Sequence, residues 1–224
     1  MHPRTASTLL AICLGCLWAG ACHAGTFSFT TDKGVYSALP GSKVPVQVYL
    51  QEVTGGEAPS ILDSEGGLFS SGLRCLPDLP LPEQPASPAA LSDIVADAEF
   101  TGGSIKNLDP LFLLLADGIL ADPGPTGETM PDGSRRVHLA TLNFTCGSIA
   151  GESTSFKITD YDDFGISSDT LTWEGTELDN LIAPGRFTIA TAIPEPAGFT
   201  ILATGLLIFI RRPLRGAACD ERPR

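Results

Sequence analysis

Apolar and polar residues alternate over much of the chain. Val44, Val46, Val48 and Leu50 fall on one face of an extended segment, and Gln47, Tyr49 and Gln51 fall on the other. A period of two is that of a strand with one buried face. Pro45 shares the polar face and marks an edge strand or a strand start, because it has no N–H to give to a ladder. Residues 26–31 place Phe27 and Phe29 inward, and residues 137–145 set Ala140, Leu142 and Phe144 against Thr141, Asn143 and Thr145. Shorter strands are predicted at 68–75, 155–158, 170–173 and 186–190. Between them stand turn pairs such as Pro40-Gly41, Gly66-Gly67, Asp132-Gly133 and Pro184-Gly185. Many short strands punctuated in this way predict an all-β fold, an antiparallel β-sandwich spanning residues 25–192. Helix signals are few. Residues 87–97 predict one short helix, with Ser87 as cap and Pro88 at the first helical position, and the apolar run 111–115 fits either state. Residues 77–85, with four prolines, predict an extended surface loop.

Both ends depart from this pattern. Residues 1–24 have the three parts of a secretory signal: His2 and Arg4, an apolar run at 9–18, and Cys22-His23-Ala24 as a small-residue end. Signal peptidase is expected to cut after Ala24. Cys22 could instead mark a lipoprotein, but Ala19 stands where a larger aliphatic residue is usual. The other end carries Ile193-Pro194-Glu195-Pro196, an apolar run at 197–210, then Arg211 and Arg212 and three further arginines. Prolines flanking Glu195 keep that segment extended and accessible. Arg211 and Arg212 act as a stop-transfer signal that leaves the body outside and residues 211–224 as a basic cytoplasmic tail.

The order of motif, apolar span and basic end resembles the PEP-CTERM sorting domain, with Pro194, Glu195 and Pro196 matching its signature. The resemblance implies recognition by an exosortase, a membrane transpeptidase that would cut near the motif and deliver the body to the cell surface or extracellular matrix. The chain departs from the pattern in two ways. Its apolar run of 14 residues gives about 21 Å of helix against a hydrocarbon core of ~30 Å, and the polar end is long for such a tail. The alternative is a plain C-terminal transmembrane helix that is not processed. A second resemblance lies in the body. Thr26-Phe27-Ser28-Phe29, Tyr36, Pro40-Gly41-Ser42, the valine strand, and the late Leu139-Ala140-Thr141-Leu142-Asn143-Phe144 are similar to the cohesin-like domains. That resemblance implies a jelly-roll sandwich that binds protein or carbohydrate.

Charge narrows the functions. The whole chain carries −12, but residues 25–192 hold 8 Lys+Arg against 23 Asp+Glu, a net of −15. So acidic a body repels phosphate backbones, and no nucleic-acid partner is expected. Of six cysteines only Cys75 and Cys146 fall in the exported body, where the oxidising compartment predicts a disulfide between them. His138 is the body's only histidine, which removes histidine-cluster zinc chemistry, and it is expected to be an exposed strand residue. The densest acidic run, Asp160, Asp162 and Asp163, is a weak calcium candidate: read as a twelve-residue loop it places Phe164 fifth and Leu171 twelfth, where oxygen ligands belong. Tyr49, Tyr161 and Trp173 could stack on sugar rings, although core packing is the commoner role for large aromatics. Asn143-Phe144-Thr145 fits a glycosylation acceptor but lies inside a predicted strand. The expectation is therefore a non-enzymatic structural or adhesive module without a cofactor. A carbohydrate- or protein-binding module is the alternative, and an acid-dependent glycoside hydrolase a further one.

Overall fold

The computed structural model describes residues 25–55, 59–79, 84–108, 111–116, 124–161 and 169–194. The signal segment 1–24, Glu195 and Pro196, the apolar run 197–210, Arg211 and Arg212, and the acidic residues Asp162 and Asp163 lie outside them. Pro194 is described and exposed. No helix among the described residues is long and apolar enough to cross a membrane.

The strands in chain order are β1 (Thr26–Thr31), β2 (Val35–Ala38), β3 (Lys43–Val53), β4 (Leu68–Pro77), β5 (Ala90–Ala96), β6 (Gly103–Leu108), β7 (Leu111–Ala116), β8 (Glu128–Thr129), β9 (Arg135–Thr145), β10 (Ser153–Thr159), β11 (Leu171–Thr172), β12 (Ile182–Ala183) and β13 (Gly185–Thr191). One helical turn, α1 (Ile61–Ser64), precedes β4, and a 3-10 turn spans Asp179–Leu181. They build two facing sheets. The first runs β12-β1-β3-β9-β5, with β8 sharing the β5 edge of β9; the second runs β2-β13-β10-β4-β7-β6, with β11 also on β4. Among the described residues the sandwich is antiparallel except at two places, where β12 joins β1 and β2 joins β13 in parallel.

The alternation in β3 is observed as read: Val44, Val46, Val48 and Leu50 are buried. Phe144 of the first sheet packs on Phe156 and Phe187 of the second, with ring centroids 4.7 and 5.6 Å away. Burying each such ring contributes roughly 1.5–3 kcal/mol, so this contact joins the two layers at their centre.

Two expectations are corrected. The helix expected at 87–97 is the strand β5. Ser92 is an extra residue there, since Leu91 pairs with Phe144 and Asp93 with Asn143; its hydroxyl donates to Asn143 O at 2.8 Å. That bulge separates Leu91 from Ile94 by three residues and so imitates a helical period. The Cys75–Cys146 bridge is not formed: both are buried free thiols. Cys75 pairs with Ile158, which pairs with Gly185 at the start of β13. Cys146 Sγ lies 3.8 Å from the carbonyl oxygen of Ala38, and Ala38 pairs with Thr191 at the end of β13. Six residues of strand place the two thiols roughly 20 Å apart, well beyond the span of a disulfide.

Candidate functional site

A cleft of about 600 Å³ opens where β3, β9 and the segment leading into β8 meet, lined by Tyr49, Asp97, Glu128, Arg136 and His138 among others. A second bulge creates it. Val48 pairs with Ala140 but Tyr49 with His138, leaving Leu139 as the extra residue. Strict alternation back from the buried Ala140 would turn His138 and Arg136 into the core. The bulge returns both to the outer face beside Tyr49, while Val137 and Leu139 stay buried. The backbone N–H of Asp97, just past β5, donates to Leu139 O at 2.9 Å, which brings the Asp97 side chain to His138.

The polar groups of the cleft hold one another. His138 Nδ1 is bonded to Asp97 Oδ2; an ionised carboxylate only accepts, so Nδ1 carries the proton. His138 Nε2 is buried and has no partner. Arg136 donates from Nε and Nη2 to Glu128 Oε1 at 2.7 and 2.6 Å, and its guanidinium lies 4.3 Å from the centre of the Tyr49 ring. Burial raises the Tyr49 phenol pKa, with the Arg136 charge opposing the shift. The strap carrying Glu128 is held close to β9 at Gly127, whose φ is +73° and where a Cβ would meet Arg136 O at 2.2 Å. Only glycine satisfies both conditions. Charges fixed on adjacent strands in this way form a pre-set polar surface.

Of the aromatics considered for sugar stacking, Tyr49 and Tyr161 are buried, and Tyr161 stacks on Phe112 at 4.9 Å. Trp173 is half-buried, edge-on to Phe69. His138 is half-buried and bonded, where an exposed residue was expected. Asn143 is half-buried within β9. Asp160 groups with residues distant in sequence: one oxygen each of Asp160, Asp169 and Asp179 lie within 4.8 Å of one another. Burial first, then the Asp160 and Asp179 charges, pushes the Asp169 carboxyl up to about 8. The spacing of acids along the sequence gave no sign of this set.

Comparison with known proteins places few constraints on the chain. No family model matches it, and no curated protein matches it. Among solved structures it is similar to CaCohA2 from Clostridium acetobutylicum, a cohesin domain determined in solution, at 14% identity and a TM-score of 0.41, over 75% of this chain and 92% of that one.

Proposed function

We propose that the protein is an exported, non-enzymatic β-sandwich module that makes adhesive contacts at the cell surface or in the extracellular matrix. On this reading the signal segment directs export and a PEP-CTERM-like tail hands the body to an exosortase-type transpeptidase. The observation that carries the binding role is the cleft on β3 and β9, where Arg136, Glu128, Asp97 and His138 are fixed by bonds to one another on neighbouring strands. Two of its acids are engaged by bases, which suits recognition better than general acid–base work, where a carboxyl must be free to exchange its proton with a substrate. Burial of Tyr49 and Tyr161 takes away two stacking platforms and favours a polar protein surface over a sugar ring as the ligand.

The test compares protein recovered from the host as wild type, as Arg136→Ala, and with Pro194, Glu195 and Pro196 replaced by alanine. Intact mass of the wild type should lack both residues 1–24 and the segment after the motif, and the motif variant should keep its C-terminus. The wild type should retain an extracellular partner that Arg136→Ala binds at least tenfold more weakly. Equal C-termini in wild type and motif variant would refute the sorting reading, and undiminished binding by Arg136→Ala would refute the cleft.

A further inference from the structure

We propose that Asp160, Asp169 and Asp179 form a calcium site that fastens the segments leaving β10 and entering β11 to the outer face of β4. The ladder along β4 explains how they meet. On one edge β10 pairs with Arg74 to Pro77 and β11 with Leu68 and Ser70, so pairing is interrupted around Gly72. There the Gly72 N–H donates instead to Thr170 Oγ1 at 3.2 Å. Asp160 follows the last residue of β10, and Asp169 and Thr170 precede β11, so both ends of the connection come to this gap. Asp179 arrives from the 3-10 turn, held by the Thr170 N–H donating to its Oδ1 at 2.8 Å.

An acidic cluster alone would be an ordinary solvated surface, but the burial here is of another kind. Asp169 is only 9% exposed, and its Oδ2 has no hydrogen-bond partner; Asp179 Oδ2 is likewise buried and unpartnered. A Cβ on Gly72 would stand 2.1 Å from Asp169 Oδ2, so the bare glycine backbone is what lets this carboxylate lie against the strand. Buried, donorless carboxylate oxygens turned toward one another are costly unless one of them takes up a proton or a cation sits among them, and a bound cation would replace that proton. Oxygens on opposite sides of a calcium ion are roughly 4.6–5.2 Å apart, and those in this cluster lie within that reach. An all-carboxylate donor set disfavours zinc and copper, which prefer nitrogen and sulfur. Magnesium dehydrates reluctantly and usually keeps several waters, which suits this buried cluster less well than calcium does. The site is separate from the cleft, and the proposal does not depend on that cleft's role.

The test uses the full-length protein stripped with a chelator. Calcium at about one hundred times its dissociation constant should raise the melting temperature by about 5–10 °C, with affinity in the roughly 10⁻⁴–10⁻³ M range of extracellular modules or tighter. Bound terbium should be sensitised by Tyr161, the neighbour of Asp160, and displaced by calcium. Asp169→Asn and Asp179→Asn, which remove charge without changing shape, should each abolish the calcium-dependent shift and the terbium signal. Asp93→Asn, on exposed β5, should leave both intact. No calcium-dependent shift in the wild type at calcium up to about 0.1 M, roughly a hundredfold excess over the weakest affinity expected, or an unchanged shift in both Asp169→Asn and Asp179→Asn, would overturn the proposal.

Discussion

Removing the carboxylate of Glu52 should destabilise the sandwich more than its place near one end of β3 suggests. The residue is fully buried. Its oxygens accept hydrogen bonds from Ser60 Oγ at 2.5 Å, Ile61 N at 2.6 Å and Leu62 N at 3.2 Å, while Ser60 Oγ itself accepts from Asp63 N. Glu52 and Ser60 together therefore satisfy the first N–H groups of α1, which a helical turn cannot satisfy from within. Glu52→Ala orphans three donors. Each buried, unmet donor costs about 1–3 kcal/mol, and bonds to a charged acceptor stand at the upper end. Two effects offset that sum: water can reach the partly buried Ser60 and Ile61, and the desolvation cost of the carboxylate is relieved. The expected loss is roughly 2–4 kcal/mol, or about 4–16 °C in melting temperature for a body of this size. Glu52→Gln keeps one accepting oxygen but points an NH2 group at the remaining donors, and should lose about half as much. Urea unfolding followed by Trp173 fluorescence reads both variants in protein prepared without residues 1–24, which hold the other tryptophan, Trp18. A Glu52→Ala variant within ~0.5 kcal/mol of wild type, or a Glu52→Gln variant worse than Glu52→Ala, would refute the capping role, because uncompensated donors are the whole of the expected cost.

Two further outcomes follow from the buried groups. The thiols of Cys75 and Cys146 should be found free: peptide mapping should show these two labelled by a thiol reagent only after denaturation, since burial raises the Cys75 pKa and hides both side chains. Labelling of neither under fully denaturing, non-reducing conditions would mean that they are bridged. In chelator, stability should fall as the pH rises from about 4 to about 8. Across that interval folded Asp169, raised from 3.8 to about 8, holds a proton that the unfolded chain has released, so the slope of stability against pH is negative. Asp169→Asn should flatten that slope, and identical slopes for wild type and variant in paired denaturation curves at pH 5 and pH 8 would contradict it.

The long strands could be read from the sequence because each is amphipathic over many residues, as in residues 44–50 and 140–145, where a shift of one residue would expose the whole buried set. The reading failed where a single residue was inserted into that rhythm. Ser92 turned the period of β5 into a helical one, beside a Ser-Pro pair that resembled a cap; Leu139 reverses the faces of β9 on either side of itself, so that His138, expected as an exposed strand residue, is on the outer face but half-buried in a cleft. Both insertions matter for the proposed sites. Without the bulge at Leu139, His138 and Arg136 would point into the core and the cleft would have no basic groups. The acidic cluster was hidden for a different reason. Asp160, Asp169 and Asp179 meet only because two strands use the same edge of β4 and leave it bare at Gly72, and that arrangement depends on pairing between segments about a hundred residues apart in the chain. Local patterning thus specifies which residues face inward, whereas the chemistry on the outer faces is set by where the ladders break. Breaks of this kind are therefore the places to look for sites in a sandwich whose sequence shows only strands.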